Sequence, residues 1–374
     1  MRFTLSSGTL NNRLQTLARV ISNKNTISIL DCFLFDVNGD KLTITASDSE
    51  NVMQTVVDLD ECSGDGRFAV TSRTILDAVK ELAEQPLSFD VNTDNLNVEI
   101  HYQNGVYRLT AQNADEYPKM QPVPENSTVI NIGANVLLSN ISRSLFATAQ
   151  EEIRPVMCGI LFDLNAECLT IVATDGHKLV RSKNFTVKSD TPSSFILPKK
   201  PAILLKNVLG RNGGDVSVKF YDRSAEICYS DGMLSCRLIE GRYPNYNSVI
   251  PKNNPNELVI DRKALIGALK RVLPFASESS QMIRFHITDS NLELTSEDVD
   301  FATSAKENII CQYTGNVMDI GFKGSAMFDI LSNLESDEIK ISLADPSRAG
   351  IISPTVQPEN EEVLMLIMPM LLND

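Results

Sequence analysis

The alternation of apolar and polar residues is most regular in Cys168–Val180, where it predicts a strand followed by a polar turn. From Leu169 the sequence reads LTIVAT, in which every second residue is apolar and the others are Thr or Val. This pattern is typical of a strand with one buried face. The polar turn begins at Asp175, and the related segments LTITASD and LELTSED begin at Leu42 and Leu292. The sequence therefore predicts a unit that occurs three times, at spacings of 127 and 123 residues.

Apolar residues three and four positions apart predict helices that bury one face. In the first helix, Leu10, Leu14 and Leu17 lie on that face. The strand and helix in Arg2–Leu14 have a counterpart in Arg67–Val79, which begins 65 residues later. Each third of the chain is therefore predicted to contain two units, each with a strand, a helix and further strands. The six helices are predicted at residues 8–21, 72–85, 134–150, 198–212, 261–277 and 323–335.

Polar segments rich in proline separate the three repeats. They lie near residues 115–127 and 241–257, and proline there removes a backbone donor and restricts the chain. A repeat of about 125 residues is a whole domain, since solenoid repeats have about 20 to 50 residues. Ser7 and Ser72 stand where an N-cap would precede the two helices of the first domain. The sequence predicts an α+β fold with domains at residues 1–127, 128–255 and 256–374.

Charge is divided unevenly between the predicted helices and the remaining residues. The net charge of −14 argues against a nucleic-acid partner, because DNA binding depends on the neutralisation of phosphates. The six helical segments, however, carry +8 together, and the remaining residues carry −22. Either the helices form one basic face, or their cations are ordinary solvated charges. The repetition of this polarity in three copies favours a basic face for phosphates.

Other features of the composition argue against several classes of protein. Seven cysteines without a CxxC pair fit a reducing compartment, and three scattered histidines predict neither a metal site nor a cofactor. The first residues, MRFTLSSGTLNNRL, do not resemble a signal peptide. The longest apolar run, Val363–Leu372, is about half the length of a membrane span. We therefore expect a cytoplasmic protein that does not associate with membranes.

Four segments at compatible spacings resemble the bacterial β sliding clamp family, the processivity subunits of the replicative DNA polymerase III. They are Gly159–Phe162, the ATDGHKL of Ala173–Leu179, the EGRYPNY of Glu240–Tyr246 and the MPM of Met368–Met370. The resemblance covers the whole chain. It implies three tandem copies of the DNA-clamp domain, each with two strand-helix-strands half-repeats, in a head-to-tail homodimer ring around double-stranded DNA. It also implies an accessory subunit without catalytic residues.

The resemblance implies two kinds of contact beyond the ring itself. Basic residues would face the duplex and bind it without sequence preference, although each alone could be an ordinary exposed charge; Lys24 is the best single candidate, because its loop carries a DNA-touching residue in the family. The DNA-facing candidates are Arg13, Lys24, Arg143, Lys199, Lys200, Lys206, Lys263 and Arg271. Ring closure would bring Ala78, Leu82 and Tyr107 of the first domain against Pro274 and Phe275 of the third.

The resemblance further implies a hydrophobic pocket that binds short linear motifs of the replicative polymerase, the clamp loader and repair proteins. An apolar tail that forms such a surface is physically reasonable, although the tail could instead be a buried final strand and His177 a simple turn residue. The family often has Leu where Met157 stands, Arg where Lys178 and Ser248 stand, and a basic residue where Leu371 stands. The pocket rim is therefore expected to be less basic here, and the chain also continues to Leu372–Asp374. The predicted lining is Met157, Thr174, Gly176, His177, Lys178, Leu179, Pro244, Ser248, Val249, Leu366, Ile367, Met368, Pro369, Met370 and Leu371.

Two other classes of function compete with the clamp. Asp175 and His177 with a serine or cysteine nucleophile would suggest a hydrolase, but the sequence has no nucleophile elbow, and the histidine is missing from the other copies of the turn. An acidic protein-binding module would explain the net charge but not the basic helices. Retention on circular and linear DNA distinguishes these classes.

Overall fold

The protein repeats one succession of elements six times in the part of the chain that its structure, a computed structural model, describes. The described residues are 1–22, 24–118, 123–124, 126–151, 153–210 and 213–372. Each repeat has one strand, one helix and three further strands, and a short fourth strand follows in the first and fifth repeats. The strand–helix–strands unit expected from the sequence is thus confirmed.

The elements of the six repeats are distributed over the three thirds of the chain. The first third contains β1 (Arg2–Ser6), α1 (Ser7–Leu17), β2 (Cys32–Asn38), β3 (Lys41–Ser47), β4 (Asn51–Asp58), β5 (Glu61–Ser63), β6 (Gly66–Thr71), α2 (Ser72–Lys80), β7 (Pro86–Asn92), β8 (Asn97–Tyr102) and β9 (Gly105–Thr110). The middle third contains β10 (Thr128–Gly133), α3 (Ala134–Leu145), β11 (Gly159–Leu164), β12 (Leu169–Thr174), β13 (Lys178–Asn184), β14 (Ser193–Pro198), α4 (Lys199–Leu209), β15 (Asp215–Tyr221), β16 (Ser224–Tyr229) and β17 (Gly232–Arg237). The last third contains β18 (Asn256–Asp261), α5 (Arg262–Val272), β19 (Met282–Ile287), β20 (Asn291–Asp298), β21 (Thr303–Ile310), β22 (Gln312–Thr314), β23 (Met318–Lys323), α6 (Gly324–Ser332), β24 (Glu338–Leu343), β25 (Gly350–Pro354) and β26 (Glu361–Ile367).

The two repeats of each third exchange their first strands. Strand β1 pairs with β7 of the second repeat, and β6 pairs with β2 of the first. The same exchange joins β10 to β15 and β14 to β11, and then β18 to β24 and β23 to β19. All these pairs are antiparallel, and neither repeat can complete its sheet without the other.

The predicted helices exist, but they begin and end at slightly different residues. Leu10, Leu14 and Leu17 are buried on one face of α1, as expected. The prediction that Ser7 is the N-cap was wrong by one residue, because the Ser6 side chain accepts the Thr9 amide at 3.0 Å and Ser7 is already helical. Helix α2 begins at Ser72, which is therefore not its N-cap. The helix expected over residues 72–85 ends at residue 80, and the backbone of residue 85 instead pairs with that of residue 7.

Strand β12 is buried on both faces rather than on one. All six of its residues are buried. Val172 pairs with Leu161 and belongs to one apolar cluster, whereas the neighbouring Ile171 points to the opposite face, where it pairs with Phe162. The expected single buried face was therefore wrong, because apolar side chains cover both sides of this sheet.

The described chain forms two compact units, which we call unit 1 and unit 2. Unit 1 comprises Met1–Leu138 and Lys200–Leu238, and unit 2 comprises Ser139–Lys199 and Ile239–Asp374. Unit 1 contains a five-stranded and an eight-stranded sheet, and its core includes the stacked pairs Phe3–Phe89 and Phe35–Phe68. Unit 2 contains a nine-stranded and a four-stranded sheet among its described residues.

Each unit contains one place where neighbouring thirds of the chain share a sheet. In unit 1, β17 of the middle third pairs with β4 of the first, and we call this pair the unit-1 junction. In unit 2, β26 of the last third pairs with β13 of the middle third, and we call this pair the unit-2 junction. We call β17 and β26 the crossing strands, because each pairs with a strand of another third. The polar turn before β4 lies at the end of β17, and the polar turn before β13 lies at the end of β26.

Candidate functional sites

The turn between β12 and β13 is built around the side chain of Asp175. Its Oδ1 accepts the backbone amides of His177 and Lys178, each at 2.9 Å. The Thr174 hydroxyl donates to the Lys178 carbonyl at 2.8 Å and accepts the Gly176 amide at 3.1 Å. Gly176 has a φ of +92°, a conformation that glycine adopts without steric cost. The Asp-Gly pair thus has a structural role in closing the turn, and His177 takes part through its backbone.

The other two copies of the motif form the same turn. Asp48 Oδ1 accepts the amides of Glu50 and Asn51 at 3.0 and 2.7 Å. Asp298 Oδ1 accepts the amides two and three residues later at 3.0 and 3.2 Å. An aspartate that binds nearby backbone amides fixes a tight turn. This shared role explains why aspartate recurs in all three copies while the histidine does not.

Lys178 is held within the turn by an ion pair. Its Nζ donates to Asp175 Oδ2 at 2.8 Å and lies 6.0 Å from the centre of the Phe146 ring. Burial raises the pKa of the Asp175 carboxyl, but the bonds from Lys178 and from the two amides outweigh burial and hold that pKa below its usual value. Burial raises the pKa of Asp329, on α6; the charge of Lys178 opposes this rise and that of Asp175 adds to it. The positive charge of Lys178 is therefore largely compensated at this edge of the sheet.

A cavity of about 400 Å³ opens beside this turn. Met157, Gly176 and His177, three residues of the predicted pocket, line it. It is also lined by residues that the sequence did not identify, among them Ile153 and Arg154. A Cβ on Gly176 would lie 3.9 Å from Arg154 Nη1, so a cation stands at the rim after all. The sequence signal for this segment was a group of charged residues directly before Pro155. Hydrophobic periodicity does not detect a site of this kind.

The remaining predicted pocket residues divide into buried and exposed groups. Thr174 is buried, and Leu179 and Leu366 are buried in an apolar cluster that includes Tyr243. Pro244, Ser248 and Val249 come after that tyrosine in the chain and are exposed. The described structure therefore gives a cavity, a buried apolar cluster and an exposed loop, all within unit 2.

The segment after β26, residues 368–372, is called the tail. Leu366 and Ile367 belong to β26 and are buried, so the expectation of a buried final strand is correct for these two residues. Met368 is 40% exposed and Leu371 83% exposed, whereas Pro369 and Met370 are half-buried. The Met368 amide donates to the His177 carbonyl at 2.8 Å. Apolar side chains of the tail thus remain accessible next to the turn.

Comparisons with known proteins identify the family. Three consecutive segments match models of the DNA polymerase III beta subunit: its N-terminal domain over residues 1–121, its central domain over 131–245 and its C-terminal domain over 247–371. This chain belongs to the bacterial β sliding clamp family. Its family function is that of a DNA sliding clamp, a processivity factor of DNA replication.

Related clamps match over nearly the full length of the chain. The beta sliding clamp of Pseudomonas putida is 26% identical over 371 residues, which is 99% of this chain and 100% of that protein. The Bacillus subtilis clamp is 24% identical and covers 99% of both. A solved clamp from Pseudomonas aeruginosa bound to griselimycin is 24% identical with a TM-score of 0.94, and the beta subunit from Thermotoga maritima is 25% identical with a TM-score of 0.90; both cover each chain completely. The expected clamp fold is confirmed.

One of the cations expected to face DNA in a clamp is buried. The side chain of Arg143, on α3, is only 6% exposed. It donates to Glu361 Oε2 at 3.1 Å and to Ser182 Oγ at 3.3 Å. Asn140 donates to the other oxygen of Glu361 at 2.6 Å. The assignment of Arg143 as a DNA contact was wrong, because this side chain fills an internal site at the start of β26.

Three further cations of the set donate hydrogen bonds to carboxylate groups. Arg13 pairs with Asp231, and Arg271 pairs with Glu307. Lys200 Nζ donates to Asp48 and to the Val20 carbonyl. Burial raises the pKa of Asp48, but bonds from Lys200 and Asn51 outweigh it and lower that pKa overall. Lys200 therefore has a structural partner inside unit 1.

The other candidate cations present more accessible charge. Lys24 and Lys206 are exposed. Lys199 Nζ donates to Gln150 Oε1 at 2.9 Å, a neutral group. Lys263 Nζ forms an ion pair with Asp337 Oδ1 at 3.4 Å, but both side chains are largely exposed, at 72% and 84%. These four residues are thus better placed for phosphate contact than Arg143 or Lys200.

The residues expected at the ring closure lie at or near the surface of their own units. Ala78, Leu82 and Tyr107 are half-buried in unit 1, and Pro274 and Phe275 are exposed in unit 2. The Tyr107 ring stacks on that of Tyr102 at 4.7 Å. Among the described strands, β9 is an edge of the five-stranded sheet and β21 an edge of the four-stranded one.

In the described part of the chain, no group of three or more His, Cys, Asp or Glu side chains is arranged to hold a metal ion. No helix there is long and apolar enough to cross a membrane.

Proposed function

We propose that two copies of this chain close a head-to-tail ring around double-stranded DNA and keep the replicative polymerase attached to it. The observation that carries this proposal is the match of three successive clamp domains over nearly the whole chain. The ring is an accessory subunit without catalytic residues, and it works in the cytoplasm. Its domains are residues 1–127, 128–255 and 256–374.

Weak contacts between exposed lysines and phosphates let such a ring slide. Lys24, Lys199, Lys206 and Lys263 supply these contacts, because their charges are exposed or, for Lys199, bonded to a neutral amide. Each phosphate contact releases counterions, so the binding is sensitive to salt and independent of sequence. The acidic remainder of the chain disfavours binding of DNA elsewhere.

Ring closure joins different surfaces of the two copies. Strand β9, which contains Tyr107, in one copy meets strand β21 and Phe275, which follows α5, in the other. Both strands are sheet edges with backbone groups available for pairing. A contact between unlike surfaces closes into a ring only if the rotation between copies is suitable. That closure is taken from the family.

The cavity beside Gly176, the apolar cluster and the tail form one pocket for short linear motifs. The motifs belong to the replicative polymerase, the clamp loader and repair proteins. Methionines such as Met157 and Met368 adapt to different apolar side chains. Two or three buried side chains contribute about 1.5–3 kcal/mol each, which after ordering costs gives an affinity near micromolar. Griselimycin, the ligand of the solved Pseudomonas aeruginosa clamp, is our probe for this pocket.

Retention on DNA of different topology tests the ring. A clamp assembled on nicked circular DNA stays bound during gel filtration and is lost when the circle is cut, because a ring slides off a free end. Equal retention on circular and linear DNA would refute the proposal, and no retention on either would favour the acidic protein-binding module. The native mass in solution is the companion measurement, since the ring requires a dimer.

A further inference from the structure

The tail is attached to unit 2 at two points by backbone hydrogen bonds. Near its start, the Met368 amide donates to the His177 carbonyl at 2.8 Å. Two residues later, the Met370 amide donates to the Gly321 carbonyl of β23, also at 2.8 Å, and the two residues form an isolated antiparallel bridge. The turn beside the pocket and the edge of the four-stranded sheet therefore both hold the tail.

The lack of a side chain at Gly321 leaves room for the tail. A Cβ added there would lie 2.9 Å from the Met370 carbonyl oxygen and 2.9 Å from Leu372 Cδ2, closer than side chains approach their neighbours. The third neighbour is the Met282 sulfur at 3.3 Å, which belongs to a flexible side chain. The backbone of Gly321 lies outside the left-handed region, so the strand conformation itself does not require glycine. The space for a Cβ is taken up mainly by the tail.

Leu372 lies beyond the Met-Pro-Met segment that the family shares, and it has a contact of its own. Its side chain covers Gly321 and is half-buried, whereas the neighbouring Leu371 is 83% exposed. Two consecutive leucines of equal size thus differ in their environment. One is available to a ligand, and the other packs against the sheet.

We propose that Leu372 and Gly321 form a latch that positions the tail for ligand binding. The latch holds the segment from Met368 to Leu371 between the turn and β23, so that its apolar side chains are in place before a ligand arrives. Pre-positioning increases affinity because less ordering is left to the binding step. Leu372 and Gly321 are positioning residues in this proposal, which rests on the pocket described under Proposed function.

Hydrogen exchange of the tail tests the latch without any ligand. In the full-length protein, Leu372→Ala removes the packing on Gly321 and is expected to speed exchange of the tail amides about fivefold. Gly321→Ala introduces the clash and is expected to speed it at least about tenfold. Exchange of the β26 amides should not change in either variant. Leu371→Ala and Gly133→Ala are the matched controls, since Leu371 is exposed and a Cβ on Gly133 meets only one side chain, at 3.8 Å.

A double variant and a ligand complete the test. If Leu372 occupies the space beside Gly321, Gly321→Ala should have a smaller effect on exchange in the Leu372→Ala background than alone. Griselimycin should bind Leu372→Ala and Gly321→Ala about five- to tenfold more weakly than the wild type. It should bind Leu372→Met, which keeps a large apolar side chain, as tightly as the wild type. Unchanged exchange in Leu372→Ala, which alters no strand residue, would overturn the latch even if Gly321→Ala failed to fold. Failure of the wild type to bind griselimycin would count against the pocket and leave the exchange result to decide the latch.

Discussion

The two junctions share one architecture but differ in how deeply they bury their ion pairs. An acidic residue at the start of each crossing strand pairs with an arginine of a helix. Asp231, directly before β17, pairs with Arg13 of α1 in unit 1, and Glu361, the first residue of β26, pairs with Arg143 of α3 in unit 2. In the first pair the arginine is 32% and the acid 22% exposed; in the second the values are 6% and 7%. Similar residues at similar positions therefore make a partly solvated pair in one junction and a buried pair in the other.

The ends of the crossing strands differ as well. Arg237 donates its amide to the Glu50 carbonyl at 2.9 Å, just as Met368 donates to that of His177. The backbone arrangement is therefore the same at both turns, but one strand ends in a charged residue and the other in an apolar one. Beyond Arg237 the chain leaves unit 1 after Leu238, whereas beyond Ile367 it becomes the tail. The chemistry of each junction is thus set by the strand end and the segment after it rather than by the turn.

The difference in burial predicts the largest effect. Arg143→Met leaves the Glu361 carboxylate buried without its cation, and it should lower the free energy of unfolding by about 3–5 kcal/mol. Arg13→Met breaks a partly solvated pair and should cost about 1 kcal/mol. Urea unfolding measures both. Equal costs would contradict the comparison, and the double variant Arg143→Met with Glu361→Met should recover part of the loss, because no buried charge remains.

The strand end predicts the next effect. Met368→Arg gives unit 2 the residue type that unit 1 has at Arg237, and it should weaken griselimycin binding about 10- to 100-fold, since an apolar contact is lost. Fluorescence anisotropy or calorimetry measures the dissociation constant. Arg237→Met is the matched control in unit 1, and it should leave that constant unchanged. A strong effect of the control would show that the two junctions do not act separately.

The ion pair of Lys200 with Asp48 makes the stability of the unit-1 junction depend on pH. Lys200→Met removes a cation from Asp48 and should cost about 2 kcal/mol of unfolding free energy at pH 7. Because the folded pKa of Asp48 is lowered, its ionisation stabilises the fold above about pH 4, where an unfolded aspartate is ionised. This stabilisation is lost as the pH falls through the folded pKa, so the difference between variant and wild type should shrink in acid. A difference that is constant from pH 7 to pH 3 would exclude the ion pair as its source.

The smallest expected effect distinguishes Lys200, which has a structural partner, from Lys206, the proposed DNA contact on the same helix, α4. Lys206→Gln should reduce the slope of log affinity for DNA against log salt by about one, with little change in stability. Lys200→Gln should lower stability and leave the slope nearly unchanged. Binding to nicked circular DNA at several salt concentrations gives the slope. The opposite assignment of the two effects would reverse the roles of these two lysines.

The elements of the fold could be predicted from the sequence more fully than the contacts of the charged residues. Helix faces such as that of Leu10, Leu14 and Leu17 follow from local spacing, and all six helices lie where the periodicity indicated. The pairs of Arg13 and Arg143, by contrast, each join residues 218 positions apart. Nothing in the neighbourhood of either arginine indicates its partner, because the exchange of strands decides which segments meet.

The candidate site shows the same limit. The turn around Asp175 could be predicted from its Asp-Gly pair, and the tail from its apolar composition. Arg154 at the rim was missed because its position depends on a loop without periodicity. The buried state of β12 was also missed, since an alternating pattern that includes Val172 does not reveal a second apolar layer.

The position of β26 in its sheet has a consequence for biosynthesis. This strand lies between β13 and β25, but it is the last of the three to be translated. Until residue 367 has left the ribosome, both of its neighbours expose an open edge, which is a template for pairing with other chains. A nascent or prematurely terminated chain that stops before Glu361 is therefore open to aggregation and proteolysis, and a chaperone that shields these two edges would be needed most at that stage.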